Sequence, residues 1–275
     1  MTSNRPANRF RPTVWLAIGL IVAYLVFYLL VGQLTSRIFA DRIADDNVLA
    51  TAPSIWLGLV LPIAVGASAL LLVTTRMGLL ATIFGPQPVR GRGWMWLGPV
   101  LVLAAIIAHL AGTEWDSWTA AQVVAIVVLG LCVGVVEELA TRGLTVQILR
   151  EAGHSEWFVA VVSSAMFALM HSVNLISGME LTTVAGTVVY TFGFGMCMYL
   201  AMRVTGTIWA AIVLHASTDP TTILSTGGLD TAAGGSGGGA STVAAFVTVV
   251  LIGFGVVAVF FIRGRAREPQ SSPDA

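Results

Sequence analysis

The sequence predicts an all-α protein, a polytopic bundle of about eight membrane helices with both termini on the cytoplasmic side. Three observations lead there. Of its 275 residues 56% are hydrophobic and only 10% charged, with a mean hydropathy of +0.87, well outside the range of soluble domains. Apolar runs of membrane-crossing length recur along the chain, separated by short polar segments. Arginines gather in alternate polar segments, the distribution that fixes orientation across a bilayer. The formal net charge is zero, so charge gives no reason to expect a nucleic-acid partner. Cys132 and Cys197 both fall in apolar runs and read as small buried hydrophobes.

Taken in order, Arg5, Arg9 and Arg11 precede an apolar run over residues 14–31, whose length and lack of a small-residue cleavage site predict a retained anchor. A polar segment of mixed charge, 35–53, is expected outside, and a second span covers 54–73. The next segment, 74–93, is broken by Gly85, Pro86 and Pro88 and carries Arg76, Arg90 and Arg92, which place it in the cytoplasm. A third span, 94–111, leads to an outer loop with Glu114 and Asp116 but no base. The fourth run starts near 119 and continues to Arg150 without a proline, longer than a membrane requires. The loop 150–156 is expected inside, the fifth span covers 157–171, and 172–182 should face outward or re-enter. A sixth span, 183–202, ends at Arg203. The seventh apolar segment, 207–214, runs into His215, Asp219 and Pro220, so a lined or broken helix is expected. Residues 226–240 are low in complexity, and the eighth span, 242–262, is closed by Arg263, Arg265 and Arg267.

Three polar elements interrupt these runs. Glu137, Glu138 and Arg142 lie inside the fourth, where each ionisable group costs about 3 kcal/mol in a bilayer centre and so tends to mark a site. Residues four apart share a helix face, so Glu138 can pair with Arg142, while Glu137 is turned roughly 100° away. Glu138 then reads as structural and Glu137 as chemical. Phe167 stands one turn before His171, and His215 one turn before Asp219, where the acid can orient the ring. At about 1.5 Å per residue, Glu137 lies ~20 Å above Arg150, His171 ~21 Å above Trp157, and His215 to Asp219 ~12 to 18 Å above Thr207. These groups therefore share a depth. His109 and His154 have no such company and read as a packing residue and a solvated loop residue.

The pattern Glu-Glu-x-x-x-Arg at 137–142, Phe-x-x-x-His at 167–171 and His-x-x-x-Asp at 215–219 resembles the CPBP family of intramembrane proteases. This family, also called Abi or CAAX-protease-like, includes the Ras-converting CAAX endopeptidase and bacteriocin-immunity proteins. The likeness spans about residues 119–225. It implies that Glu137 activates water with help from His171, while His215 and the position of Asp219 stabilise the oxyanion. Prenyl-protein proteases commonly carry Asn where this chain has Asp219, a departure that bears on whether the substrates are prenylated.

The expected organisation is three N-terminal helices over 1–118, a protease core over 119–225, a Gly-rich outer loop over 226–241, a C-terminal membrane helix over 242–262 and a cytoplasmic tail over 263–275. The expected function is an endopeptidase of the plasma (cytoplasmic) membrane, acting on a membrane protein or lipidated peptide from a cavity open toward the cytoplasm, with the lipid bilayer as its other partner. A silent scaffold or bacteriocin-immunity protein and a proton-coupled transporter are the alternatives, the latter weakened by the absence of duplicated halves. A cofactor-free reaction is expected. Zinc held by Glu137, His171 and His215 is the competing arrangement.

Overall fold

The computed structural model describes residues 10–176, 178–229 and 239–266, with 239–241 described by backbone alone. Arg5, Arg9, Arg267 and most of the Gly-rich segment lie outside the described residues. The described chain is a helical bundle without β-strands. Six helices are long and apolar enough to cross a membrane: α1 Val14–Ile38, α2 Ala52–Met77, α3 Gly93–Ala111, α4 Ala120–Glu151, α5 Glu156–Leu175 and α6 Leu181–Thr205. Two more, α7 Ile208–Thr226 and α8 Gly239–Ala258, complete the bundle.

Helix starts follow local capping chemistry. Side-chain oxygens of Thr13, Thr51, Thr119, Ser155 and Thr207 each accept from a backbone N–H in the first turn of α1, α2, α4, α5 and α7. At the head of α4 the cap is reciprocal, because Gln122 reaches back to Thr119. Between α6 and α7 the chain reverses at Gly206, whose φ of 75° is in the left-handed region where a Cβ is strained.

The surface and interior are inverted relative to a soluble protein. Trp15, Leu30, Val100, Ile107, Val213 and Phe246 are exposed, whereas Glu138, Arg142, Glu156 and Arg203 are buried. In a bilayer those outward apolar side chains face hydrocarbon, while the bundle interior satisfies the polar groups. The chain is an integral multi-pass membrane protein.

Packing inside a bilayer relies on close fit rather than on expulsion of water. Gly130 and Gly134, four apart on α4, bring it against α7. A Cβ on Gly134 would come within 2.7–2.9 Å of Ala216, and one on Gly130 would collide with the Pro220 ring. Of the lined or broken helix expected for this segment, the structure forms the lined one: α7 runs unbroken through Pro220, whose ring packs against the glycine face of α4.

One end of the bundle gathers the arginines. Arg150 and Arg203, which the sequence sets at span ends on the cytoplasmic side, are both buried around Glu156. Arg150 grips Glu156 with two parallel bonds of 2.8 Å and gives a third N–H to Gln87 at 2.6 Å. Arg203 donates to Glu156 at 2.9 Å and to the Val89 and Arg90 carbonyls at 3.0 Å each. Tyr199 also donates to Glu156. Charged hydrogen bonds of this forked kind resist desolvation because nearly every donor finds an acceptor. Further backbone bonds, Gly91 to Arg203 at 2.8 Å and Glu156 to Gly264 at 2.9 Å, tie the 85–92 segment and the chain after α8 to the same end.

Glu156→Ala should leave two buried guanidinium groups without their counter-ion, a loss of about 3–5 kcal/mol. Thermal melting of the detergent-purified variant checks this, and the expected result is a markedly lower midpoint than for Glu151→Ala.

Candidate active site

Glu138 closes α4's regular helical stretch, and the next residues, Leu139–Thr145, form a π-helical turn. The extra residue in each such turn re-aims the side chains that follow, and these turns recur at functional sites. Within the turn the Thr145 hydroxyl donates to the Ala140 carbonyl at 2.9 Å. Gly143 sits within the turn, so the helix passes through it without stopping.

Arg142 lies 3.3 Å from Glu138 Oε1, the i,i+4 pair that the sequence suggests. It also donates to the Gly195 carbonyl at 2.7 Å and to Thr141 Oγ1 at 2.5 Å, and its guanidinium carbon stands 4.6 Å from the centre of the Phe167 ring. A Cβ at position 195 would come 2.9 Å from Arg142 and 3.1 Å from Phe167, so a glycine is needed there.

The same Glu138 oxygen accepts from His215 Nδ1 at 2.8 Å. With Nδ1–H committed to Glu138, Nε2 is the ring atom left for chemistry. It stands 3.8 Å from Glu137 Oε2 and 3.6 Å from Asp219 Oδ2. Glu137 thus faces His215. Phe167 and Phe194 meet the His215 ring edge to face, at 5.6 and 5.1 Å between centroids, and Phe167 holds His171 likewise at 5.2 Å. His171 Nδ1 lies 3.1 Å from the Phe167 carbonyl, where α5 narrows to a 3-10 turn.

Glu137, Phe167, His171, His215 and Asp219 all line one cavity of about 200 Å³, while Glu138 and Arg142 lie behind its wall. Tyr24 and Tyr28 from α1 and Tyr190 from α6 add an aromatic side. The cavity does not reach the arginine end. Leu139, Leu144, Ile148, Ile208 and Ile212 fill the bundle there, and no residue of the apolar cluster that joins Val14, Val146, Val159, Tyr199 and Ile262 lines it. The lining residues thus lie away from the arginine end, where the sequence set the cavity's opening.

Residues 118–221 match the family model described as type II CAAX prenyl endopeptidase Rce1-like. The segment is Rce1-like. It contains α4, α5, α6 and most of α7, with all three polar elements. The Rce1-like match supports an enzyme of the CAAX-type intramembrane protease class, working on membrane-associated substrates. No curated protein matches the chain.

Among the described residues no group of three or more His, Cys, Asp or Glu side chains is gathered so as to hold a metal ion. Glu137, His171 and His215 share the cavity but do not converge as a ligand set, so they do not fit a zinc ion in this geometry.

Several features of the site were not foreseen from the sequence. The Glu138–His215 bond joins α4 to α7, the π turn has only Gly143 and two threonines as a trace, and Gly195 carries no local signal. His109, expected to pack alone, has its Nδ1 2.7 Å from Ser225 Oγ and fastens α3 to the far end of α7. His154 stacks on Phe158, with centroids 4.3 Å apart.

Glu138→Ala strands a fully buried guanidinium and frees the His215 ring, with a cost of about 3–5 kcal/mol. Glu137→Ala removes a cavity-lining side chain and should melt near the wild type. Parallel melting curves in detergent check the contrast.

Proposed function

We propose that the protein is an intramembrane endopeptidase that hydrolyses peptide bonds of membrane-associated proteins or peptides, with water activated by Glu137. The observation that carries this reading is the meeting of Glu137, His171, His215 and Asp219, from three helices, on one cavity. The catalytic unit is taken as residues 119–225, with 1–118 and 242–262 as flanking membrane helices, 226–241 as an outer loop and 263–275 as a tail. The plasma (cytoplasmic) membrane is the proposed location.

In this mechanism a water held between Glu137 and His171 loses a proton to Glu137 as its oxygen adds to the substrate carbonyl carbon. Negative charge then develops on the former carbonyl oxygen. His215, fixed through Nδ1 by Glu138, meets it with Nε2–H. Asp219 as a carboxylate cannot donate to an oxyanion, and its 3.6 Å separation from Nε2 suits it to orient and balance the charged ring. The intermediate collapses when Glu137 passes its proton to the departing amine, leaving a carboxylic acid and an amine as products. Sealing Glu138 and Arg142 beneath the wall keeps the second carboxylate out of competition for the water. No step runs through a metal ion.

Glu137→Gln preserves shape but removes the base, so turnover should fall at least ~10²-fold while folding is retained. Membrane proteomes of wild-type and Glu137→Gln cells, compared for uncleaved proteins, test this and would reveal the target. If no protein accumulates and the purified variant cleaves a peptide library as fast as wild type does, the reading is wrong.

Activity of the purified protein should survive exhaustive chelation. Loss of activity that added zinc restores would instead place a metal at the site.

A further inference from the structure

Accessibility and packing around the cavity have a direction. His215 is the best sealed of the lining acids and bases, its side chain 3% exposed, whereas Glu137 is 17% and Asp219, one turn further from the arginine end, 31% exposed. Beyond Asp219 the lining continues through Thr222 to Gly228 and Leu229, past the last turn of α7. Asn174 at the end of α5 and Thr187 near the start of α6 lie at the same end. In the opposite direction stand Glu138 and Arg142, both 0% exposed, and then the close-packed apolar layer above the Glu156 network.

Charge distinguishes the two ends. Arg76, Arg90, Arg92, Arg263 and Arg265 stand at the sealed end with Arg150 and Arg203, whereas the other end carries Asp41, Asp45, Asp46, Glu114, Asp116 and Glu180 with only Arg37 and Arg42 as bases. Short loops rich in arginine remain on the cytoplasmic side. The sealed end is then cytoplasmic, and the cavity belongs to the other half of the bilayer.

The geometry points to substrate access from the non-cytoplasmic side, so that the substrates are translocated, membrane-anchored polypeptides cleaved near the outer surface and not cytoplasmic tails. This inference rests on the protease reading for the word substrate, but the direction of the cavity is a property of the fold alone. The lining suits such a segment, since Tyr24, Tyr28, Tyr190, Leu59 and Ile63 offer an aromatic and aliphatic wall to side chains flanking the scissile bond.

Single cysteines at Thr222 and Leu229, and at exposed Arg92 as a reference, can be placed in the full-length Cys132→Ala, Cys197→Ala chain. Membrane-impermeant maleimide is then applied to right-side-out and inverted sealed vesicles. The inference expects positions 222 and 229 to label at least ten-fold faster in right-side-out vesicles and position 92 to do the reverse. Faster labelling of 222 and 229 in inverted vesicles overturns it, as does absence of labelling at both in detergent where position 92 reacts. Glu137-dependent cleavage of a peptide library is measured separately in detergent, where sidedness vanishes. Cleavage together with labelling from the cytoplasmic side would sink the access route and spare the protease. Outer labelling without cleavage would sink the protease and, with it, the substrate class.

Discussion

One carboxylate oxygen organises the centre of this protein. Glu138 Oε1 faces Arg142 on its own helix and His215 on α7, and Arg142 in turn bonds the backbone of α6. Three helices are thereby indexed to each other at one point. A buried ion pair is not in itself strong support for stability, since desolvation can offset the attraction. Its value here is in rotation: α7 can turn about its axis only by breaking the His215 bond, and α4 only by moving Arg142 off the Gly195 carbonyl. Phe167 reinforces this, since its ring lies against Arg142, His171 and His215 together.

Helix fit determines whether that point can form. Lipid tails are as apolar as the side chains between helices, so association depends on close contact and on polar bonds. Gly130 and Gly134 bring the backbone of α4 to α7 at positions that bracket Ala216 and Pro220, one residue beyond His215 and Asp219. The contact that holds the helices together and the side chains that line the cavity are thus adjacent on the same two turns of α7. Little slack separates packing from geometry.

The legible part of this architecture is the part governed by distance along a single helix. Apolar runs gave the bundle, four-residue spacing gave the Glu138–Arg142 pair, and counting at constant rise gave a common depth for Glu137, His171 and His215. Relations between helices were not legible, because depth says nothing of rotation. The Glu138–His215 bond and the need for glycine at 195 both require knowing which face of α6 or α7 turns inward. The π turn was hidden for a different reason, since Leu139 to Thr145 carries the same apolar periodicity that an α-helix would. The burial of Arg150 and Arg203 was hidden because each stands at the end of an apolar run, and their common partner, Glu156, is separated from Arg203 by the whole of α5 and α6. The side on which the cavity lies also escaped, since shared depth locates a group without saying which direction from it is filled.

The arginines around Glu156 serve two stages of the protein's existence. While the chain is being inserted, Arg150 and Arg203 are separate charges flanking separate apolar runs, and each counts toward the side on which its segment stays. Once the helices assemble, the same two charges are withdrawn from water and cancelled against one carboxylate, and orientation is left to Arg76, Arg90, Arg92, Arg263 and Arg265 at the surface. A segment threaded the wrong way would put Arg150 or Arg203 on the side opposite Glu156, leaving its buried carboxylate short of a counter-charge. Correct topology is thus a condition of folding at this end, and a misinserted chain is detected by its own interior.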